Sequence, residues 1–507
     1  MLVPGAPVSV PNSARDAFSD EIHLSFINGH DKIQPNLRRT AETFLSEWRD
    51  RPGRKPLVLR GARQVGKTWL IENWGRTRFD SVVTVDLERE RDLHPLFSQS
   101  DPKHWLEELA LLKGRALVPG RSLLFLDEVQ ACPKALAQLR YLYESVPDLH
   151  VIAAGSLLDF ALREFEYSMP VGRIEFLNLH PMSFEEFLEA TEGSALVEYL
   201  GRVTAAQPAG EAVERKLREC LRRYFFVGGM PEAVRAYSLR GDLIEVRRIQ
   251  TALVETMQAD FAKYGPGRLH ELMRKTYRPI AQNVGRKIKF VNISREERAA
   301  DVRRALELLV LSRVANLVVH SSGNGVPLGA ESDERHFIAL FLDIGLVYLI
   351  CGLVLADAED LITVHEGALA EQFVGQQLLS SAPAFEEPQL FYWIREARNA
   401  SAEVDFLVSK SGTILPVEVK AGKTGTLRSA LQFLKEKHRR LAVRFYNGPL
   451  TIEEINLPNG EGEGAATAKL LSLPLYLGGQ LDRLLGEISA NRKFATELPL
   501  DKRDERR

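Results

Sequence analysis

Residues 61–68 read GARQVGKT, and this stretch fits the phosphate-loop pattern G-x-x-x-x-G-K-[ST]. An apolar run, LVLR, leads into it and a helical pattern follows, so backbone N–H groups of the loop and the helix start can converge on one phosphate. In such a loop, Lys67 neutralises the β- and γ-phosphates and Thr68 binds Mg²⁺ through its hydroxyl. The stretch therefore predicts ATP and Mg²⁺ as cofactors. The residues expected to contact the nucleotide are Gly61, Ala62, Arg63, Gln64, Val65, Gly66, Lys67, Thr68 and Trp69.

An apolar run that ends in two acidic residues supports the prediction of a phosphate loop. LLFLDE, residues 123–128, is an apolar run that ends in Asp127 and Glu128. At the carboxyl edge of a parallel sheet, Asp127 would belong to the Mg²⁺ shell and Glu128 would orient or deprotonate the attacking water. Ser156, which ends VIAAGS, suits a polar sensor of the γ-phosphate and a turn residue equally well. From about 36 to 190, apolar runs alternate with helical patterns, which predicts a parallel α/β sheet with crossover helices.

The composition excludes several classes of protein. At 507 residues the chain exceeds what one hydrophobic core supports, so roughly three or four domains are expected. A net charge of −2 means that any nucleic-acid surface must be a local basic patch. Three widely spaced cysteines favour a reducing, cytoplasmic setting over disulfides or a zinc site. The run at 337–356, FIALFLDIGLVYLICGLVLA, has membrane length, but Asp343 near its centre favours a buried helix in a large core.

A second Gly-Lys-Thr, at 422–424, does not fit a phosphate loop, because that pattern would require glycine where the chain has Val417. The preceding residues 403–422, EVDFLVSKSGTILPVEVKAG, alternate around a turn and predict a β-hairpin. Period-two geometry puts Glu418 and Lys420 on one face of the second strand. A neighbouring polar side chain on the first strand can align with both.

That neighbour is Asp405, and the resulting Asp–Glu–Lys set is what metal-dependent cleavage of phosphodiesters requires. Asp405 and Glu418 would hold one or two Mg²⁺ ions, while Lys420 would position water or stabilise developing charge. A solvent-facing hairpin with a Glu–Lys pair explains the same residues without any chemistry. The basic candidates for phosphate contacts nearby are Arg395, Arg398, Lys423 and the run KEKHRR at 435–440.

Six motifs occur in an order that resembles one protein family. They are GARQVGKT, LLFLDEVQACP, AAGSLLDF, GRIEFLNLHPMSFEEFL, FVGGMPEAV and FLDIGL. The set resembles the divergent bacterial and archaeal AAA-type ATPases that carry a C-terminal domain of formally unknown function, and the resemblance covers roughly residues 36–450. It implies an α/β protein with a P-loop parallel-sheet ATPase core, a helical lid and a winged-helix-like segment. It also implies a C-terminal α/β domain similar to PD-(D/E)xK restriction-endonuclease-like folds.

The resemblance adds three residues to the candidate sites. Pro231, in GGMP, is similar to the proline of signalling-type ATPases that packs against the nucleotide, although an ordinary helix break also explains it. Arg173, in PVGRIEF, is the best candidate for an arginine that compensates charge near the γ-phosphate, in its own subunit or in a neighbour's. Glu371 matches the N-terminal acidic position of nuclease-like folds.

The expected organisation has six parts. They are an N-terminal extension at 1–35, an AAA-type core at 36–194, a helical lid at 195–265, a winged-helix-like segment at 266–345, a nuclease-like domain at 346–450 and a C-terminal tail at 451–507.

Two functions remain open on the sequence. In the first, an ATPase controls a C-terminal half that binds or cuts nucleic acid, with DNA favoured over RNA. The basic helix at 295–309 and the run RKIK at 286–289 favour it, and a solvated amphipathic face explains them equally well. In the second, a nucleotide-gated switch carries an inactive nuclease-like domain that binds protein or nucleic acid. A homo-oligomer is expected in either case, whereas a membrane anchor rests on residues 337–356 alone and ranks last.

Overall fold

The computed structural model describes most of the chain from residue 37 onward. The described residues are 37–156, 158, 172–264, 267–288, 290–294, 296–353, 366–395, 402–420, 422, 427–457 and 466–490. The predicted extension at 1–35 lies outside them, as do Arg398, Lys423 and the last residues of the predicted tail.

Five parallel strands form the first sheet, in the order β2-β3-β4-β1-β5. They are β1 (Leu57–Arg60), β2 (Ser81–Asp86), β3 (Ser122–Asp127), β4 (His150–Ala154) and β5 (Glu175–Asn178). Every residue of β3 and β4 is buried, which explains why these strands read as apolar runs without alternation. Because the strands are parallel, their carboxyl ends all lie at one edge of the sheet. The helices within this part are α1 (Ala41–Asp50), α2 (Lys67–Arg78), α3 (Pro102–Lys113) and α4 (Pro133–Ser145).

Helices alone follow the first sheet, in agreement with the helical pattern predicted for this part of the sequence. They are α5 (Phe184–Glu192), α6 (Ser194–Leu200), α7 (Glu211–Val227), α8 (Pro231–Arg240) and α9 (Leu243–Asp260). Ser183 and Glu186 cap the start of α5 through reciprocal bonds between side chain and backbone. Pro231 begins α8, where its fixed φ suits the first turn, and Gly241 ends that helix in the left-handed conformation.

Three helices and a hairpin come next. They are α10 (Arg268–Gln282), α11 (Phe290–Ile293), α12 (Ala299–Leu311), β6 (Ala315–Ser321) and β7 (Ser332–Phe341), followed by the short helix α13 (Ile344–Ile350). Helix α10 packs against α12, and β6 and β7 pair antiparallel. The basic helix predicted at 295–309 is therefore present, with a later start at Ala299.

The C-terminal part completes a second, mixed sheet of eight strands. Its elements are α14 (Glu366–Ser381), β8 (Leu390–Ile394), β9 (Glu403–Lys410), β10 (Thr413–Val419), α15 (Arg428–Glu436), β11 (Leu441–Tyr446), β12 (Thr451–Asn456), β13 (Thr467–Pro474) and α16 (Leu481–Ala490). The strand order is β12-β13-β11-β10-β9-β8-β6-β7. The α/β fold class is thus confirmed, and β9 and β10 form the predicted hairpin.

This sheet contradicts two of the predicted domain boundaries. Strand β6 pairs with β8, so the segment predicted as winged-helix-like shares its sheet with the predicted nuclease-like domain. Strands β12 and β13 lie in the predicted tail at 451–507, yet they form one edge of the same sheet. The tail prediction failed because these short strands depend on partners outside the hairpin pattern: β13 pairs with β11, and β12 pairs with β13. From residue 37 onward, the described residues belong to one compact unit with a hydrophobic core that runs from α1 into the second sheet.

Residues 337–350 of the run at 337–356 are largely buried, but they do not form one helix. Its first residues complete β7, and Asp343 then accepts hydrogen bonds from the N–H groups of Gly345 and Leu346 and so begins α13. The carboxylate that argued against a membrane span is therefore a helix cap. Among the described residues, no helix combines the length and the apolar character that crossing a bilayer needs.

Candidate functional site

The phosphate loop connects the carboxyl end of β1 with the first turn of α2. Two of its residues must be glycine for reasons of space and backbone conformation. A Cβ at Gly61 would lie 2.4 Å from the carbonyl oxygen of Leu179, which follows β5. Gly66 has a φ of 91°, a left-handed conformation that side chains disfavour. The loop thus keeps a shape in which its N–H groups are free to face an anion.

Lys67 is buried and folds back over the loop. Its Nζ donates to the carbonyl oxygens of Gly61 at 2.9 Å and Ala62 at 2.8 Å. Burial lowers the pKa of Lys67 to about 8, and the negative charges of Glu128 and Asp127 only partly offset that effect. An ammonium group held by two neutral carbonyls gains strongly from an incoming phosphate, since bonds to charged acceptors are the stronger ones.

Thr68 and Asp127 meet across the sheet edge. The Thr68 hydroxyl donates to Oδ2 of Asp127 at 2.6 Å, while the N–H of Glu128 donates to Oδ1 at 3.0 Å. Burial raises the pKa of Asp127, although the bond from Thr68 opposes the shift. A hydroxyl beside a buried carboxylate is the oxygen donor set that suits a hard cation, so these two residues fit Mg²⁺.

Glu128 lies beside Ser156, as the two strand ends predicted. Its backbone is left-handed, with a φ of 47°, and its Oε2 accepts from Ser156 Oγ at 3.2 Å and from Gln130 Nε2 at 2.5 Å. The guanidinium of Arg63 donates to Ser156 at 3.3 Å and lies 2.7 Å from the buried carboxylate of Asp260 on α9. The loop, both strand ends and the helical part are therefore joined by polar contacts around one point.

Pro231, which the resemblance predicts to pack against the nucleotide, lies beside the phosphate loop. A Cβ at Gly66 would be 3.4 Å from Cγ of Pro231, an ordinary van der Waals contact. Trp69, in the first turn of α2, is 37% exposed and lies at the surface. A side chain at the start of α8 thus touches the loop that would hold the phosphates.

Arg39 is a residue of this site that the sequence did not reveal. It is buried, its Nη1 donates to Val65 at 2.9 Å, its Nη2 donates to His180 at 2.6 Å, and its Nε lies 3.1 Å from Glu186. The guanidinium therefore connects the phosphate loop to the segment that follows β5 through hydrogen bonds. Its partners are far away in sequence, so neither spacing nor periodicity could have predicted the contact.

Arg173 does not join the nucleotide site of its own chain. It precedes β5, whose first residue pairs with the first residue of β1, so it lies at the amino edge of the sheet. The phosphate loop lies at the opposite edge, about four residues or roughly 13 Å along the strands. Arg173 instead contacts Glu144 at 3.0 Å, at the end of α4. Arg173 therefore does not act on the nucleotide of its own subunit. The sequence does not show that a residue just before β5 lies at the edge of the sheet opposite the phosphate loop.

The second predicted set comes together on the β9–β10 hairpin. The register pairs Phe406 with Val417, and one further step puts Asp405 opposite Glu418. Lys420 Nζ lies 2.6 Å from Oε2 of Glu418 and 3.8 Å from Oδ2 of Asp405. The three residues predicted from alternation therefore face one another.

Two more carboxylates belong to this acidic cluster. Glu371 on α14 interacts electrostatically with Asp405, Glu418 and Lys420. Glu403 lies two positions before Asp405 on the same strand face, and its Oε2 lies 2.7 Å from Nζ of Lys287. Alternation along β9, which predicted Asp405, also puts Glu403 on the same face, but the sequence analysis did not include Glu403.

The acidic cluster holds more carboxyl groups than basic groups, and its carboxyl groups share a raised pKa. Burial, reinforced by the neighbouring carboxylates, raises the pKa values of Glu371, Asp405 and Glu418. Burial pulls the pKa of Lys420 down, but the surrounding carboxylates outweigh it and leave that pKa raised. Oε1 of Glu418 is buried without a hydrogen-bond partner among the described residues. An added cation would satisfy this oxygen.

The present arrangement of the cluster is nevertheless closed to a metal. Within the described ranges, no three His, Cys, Asp or Glu side chains are grouped closely enough to hold a metal ion. The ammonium of Lys420 takes the position between Asp405 and Glu418. The donor chemistry fits Mg²⁺ or Mn²⁺, provided that Lys420 moves away from Glu418.

The basic residues near the cluster are already engaged within the chain. Arg395 pairs with Glu436 at 2.5 Å. Lys437 and Arg439, from the run KEKHRR, donate to the side chain and backbone of Asn324 in the β6–β7 loop. As phosphate contacts these residues would first have to leave their present partners.

Residues 53–188 match the family described as AAA domain, so the chain contains an AAA-family domain. Residues 218–356 match a domain of unknown function (DUF8612), and residues 366–457 match a further domain of unknown function (DUF4143). No curated protein matches the chain.

Several solved structures are similar to the chain. The Walker-type ATPase PABY2304 of Pyrococcus abyssi is 17% identical over 62% of this chain and 95% of that chain, with a TM-score of 0.40. The ORC2 protein of Aeropyrum pernix is 13% identical over 65% and 97%, with a TM-score of 0.33. The ORC1 protein of Aeropyrum pernix in complex with DNA is 16% identical over 63% and 93%, with a TM-score of 0.26. At these scores the likenesses are distant, and the architecture rests on the strand order given above.

Proposed function

We propose that this protein is an AAA-type ATPase that binds and hydrolyses ATP, and that its nucleotide state controls a C-terminal nuclease-like domain. The observation that carries the proposal is the meeting of Thr68 and Asp127, 2.6 Å apart, next to the buried Lys67. A hydroxyl, a carboxylate and an ammonium at one sheet edge serve a phosphate chain and its cation together.

Each residue of the nucleotide site has a separate task in this proposal. Lys67 leaves the carbonyls of Gly61 and Ala62 and binds the β- and γ-phosphates. Thr68 and Asp127 hold Mg²⁺, which when bound neutralises charge on the phosphate oxygens. Glu128 orients and deprotonates the attacking water, and its bond to Ser156 holds the carboxylate in place.

Assembly into a homo-oligomer would give Arg173 a function. Its side chain is exposed, at 44%, on the edge of the sheet opposite its own phosphate loop. From there it would reach a nucleotide in a neighbouring subunit, where an arginine compensates charge on the γ-phosphate. We also propose a cytoplasmic location, which the three free cysteines support.

The topology of the C-terminal part supports a PD-(D/E)xK-like domain. Helix α14, the antiparallel strands β8 to β10, helix α15 and the parallel strand β11 follow in the order helix, three strands, helix, strand. Asp405, Glu418 and Lys420 then form the hydrolytic set, with Glu371 as its helical member. The helices α10 to α12 and the β6–β7 hairpin resemble a winged helix, which favours DNA as the partner.

A second candidate function is a nucleotide-gated switch whose nuclease-like domain no longer cuts. The position of Lys420 between Asp405 and Glu418 favours it, because the ammonium fills the place of the metal. The two candidates share the ATP site and differ only in whether the acidic cluster takes a divalent cation.

The ATPase part is tested by Lys67→Ala. Losing the charged donor to the phosphates should weaken ATP binding by roughly 100-fold or more, at about 1.5–3 kcal/mol for each charged hydrogen bond, and should abolish hydrolysis. Calorimetric titration with ATP and release of phosphate measure the two effects. Lys275→Ala, which removes a surface pair with Glu297, is the matched control and should leave both unchanged. Wild-type hydrolysis in Lys67→Ala would refute the nucleotide site.

A further inference from the structure

A buried carboxylate lies between the two candidate sites. Asp343 has no exposed surface, and its two oxygens serve different parts of the chain. Oδ2 accepts from the N–H groups of Gly345 and Leu346 and so caps α13. Oδ1 accepts from the N–H of Gly229 at 2.6 Å and from Nε2 of Gln376 at 3.2 Å. One side chain therefore holds the turn before α8, the start of α13 and the middle of α14.

The two loops around Asp343 touch through their backbones. A Cβ at Gly228 would lie 2.0 Å from Asp343 and 2.9 Å from Gly345, and a Cβ at Gly345 would lie 2.6 Å from the nitrogen of Gly228. Gly228 also has a positive φ of 74°. Neither loop can move far without displacing the other, because the two backbones pack directly against each other with no side chain between them.

The turn at Gly228–Gly229 reaches the phosphate loop by two routes. Pro231, two residues further on, lies beside Gly66, since its Cγ is 3.4 Å from the position that a Cβ on Gly66 would take. The carbonyl of Gly229 accepts from the N–H of Met182 at 2.7 Å, two residues after His180. His180 in turn accepts from Arg39, which also donates to Val65 in the phosphate loop.

Helix α14 continues the path on the other side. Gln376 donates to Asp343 and to the Tyr224 hydroxyl, and its Oε1 accepts from the N–H of Ile344. Gln372 exchanges two bonds of 2.8 Å with the backbone of Phe341 at the end of β7. The residue just before Gln372 is Glu371, the helical member of the acidic cluster. Any shift of α14 therefore moves Glu371 relative to the hairpin that carries the other carboxylates.

We infer that Asp343 is the joint through which nucleotide binding at the phosphate loop repositions α14 and its Glu371. Displacement of the loop when Lys67 leaves its carbonyls is passed to Pro231 and Gly229, then through Asp343 and Gln376 to α14. The inference rests on the proposed function, since it assigns the residues that link the two sites. By thermodynamic reciprocity, occupancy of the acidic cluster alters nucleotide affinity through the same joint.

Asp343→Asn cuts this path selectively. The remaining carbonyl oxygen still caps α13, because asparagine is as good a helix cap as aspartate. Its amide nitrogen, however, faces the N–H of Gly229 and Nε2 of Gln376, where only an acceptor is useful. Pro231→Ala removes one of the two routes between the turn and the phosphate loop and leaves every bond of Asp343 in place. Glu387→Gln is the control, since Glu387 bridges Arg60 and Arg313 at the surface, outside the path.

Hydrogen–deuterium exchange of residues 366–381 tests the inference on the full chain, with and without ATP and Mg²⁺. In the wild type and in Glu387→Gln, nucleotide should slow exchange there by roughly 5-fold or more, the lower end of usual coupling between sites. With each variant saturated with ATP, the change should fall below about twofold in Asp343→Asn and should be smaller than the wild-type change in Pro231→Ala, which keeps the route through Met182 and Arg39. The readout does not depend on whether the acidic cluster cuts nucleic acid.

Each other outcome has a definite meaning. If the wild type binds ATP and exchange in residues 366–381 does not change, the joint is refuted while the ATP site stands. If both variants transmit the full change, the joint is likewise refuted. If Asp343→Asn does not fold, Pro231→Ala decides alone. If the wild type does not bind ATP, the proposed function fails and this inference fails with it.

Discussion

Lys67 and Lys420 each lie beside one aspartate and one glutamate, yet their ammonium groups have different partners. Lys67 donates to the carbonyl oxygens of Gly61 and Ala62, and burial lowers its pKa to about 8. Lys420 lies 2.6 Å from the carboxylate of Glu418, and the neighbouring negative charges raise its pKa. The first lysine is positioned to receive an anion, whereas the second is already neutralised within a cluster that has an excess of carboxylates.

The comparison teaches that similar residue sets select opposite ligands. At the phosphate loop, backbone N–H groups and Lys67 provide positive potential, and Asp127 with Thr68 provides one place for a cation. At the acidic cluster, the three carboxyl groups of Glu371, Asp405 and Glu418 outnumber the one lysine, and their raised pKa values mean that a bound divalent cation would displace protons. We therefore expect a polyanion with its cation at the first site and a bare divalent cation at the second.

The largest effect should come from Glu128→Gln. The amide keeps the size of the side chain and still accepts from Ser156, but it cannot take a proton from water, so turnover should fall by about 10²–10⁴-fold. ATP affinity should stay within about threefold of the wild type, which equilibrium titration measures. Glu245→Gln is the matched control, because Glu245 pairs with Arg248 on the exposed side of α9, away from the site. Wild-type turnover in Glu128→Gln would remove Glu128 from the chemistry.

A smaller effect, about 10–100-fold, is expected for metal binding in Asp405→Asn. Replacing the carboxylate removes a charged oxygen donor, so Mn²⁺ titrated by calorimetry or electron paramagnetic resonance should bind more weakly. Lys420→Ala should bind Mn²⁺ at least as tightly as the wild type, since the competing ammonium is gone. Glu436→Gln, which alters the contacts of Glu436 with Arg395 and Gln432 and no carboxyl group of the cluster, is the control.

An equal loss of Mn²⁺ affinity in Lys420→Ala and in Asp405→Asn would contradict the difference described between the two lysines. That result would mean that Lys420 supports the cation site and does not compete with the metal.

The smallest effect concerns pH. Lys67 has a lowered pKa of about 8 in the nucleotide-free protein, so it is charged below that pH and neutral above it. Phosphate binding requires the charged form, and each pH unit above the pKa adds a protonation cost of about 1.4 kcal/mol. ATP affinity should therefore fall by roughly tenfold between about pH 7 and about pH 9. Lys420→Ala should show the same profile, and a flat profile in both proteins would contradict the assigned pKa.

Much of both sites could be predicted from the sequence because their residues lie close together along the chain. Gly61 to Thr68 occupy one loop, and Asp127 and Glu128 end an apolar strand. Asp405 and Glu418 lie on two strands joined by a tight turn, so alternation alone aligned them.

The features that the sequence did not predict depend on strand direction and on contacts between residues far apart in the chain. Arg173 was assigned without knowing which edge of the sheet it occupies. Asp343 was expected inside a helix, because its role as a cap depends on where β7 stops. Arg39 contacts partners from β5 onward, and no local pattern indicates such a contact. The tail was missed because β13 needs β11 as its neighbour.

Cleavage of supercoiled plasmid DNA, with Mg²⁺ or Mn²⁺ and with or without ATP, tests the central claim most directly. We expect metal-dependent nicking by the wild type, at a rate that ATP changes. Lys67→Ala should nick at a rate that ATP no longer affects, and Asp405→Asn should not nick. Absence of nicking by the wild type under every condition, or nicking that ATP leaves unchanged, would contradict an ATP-controlled nuclease.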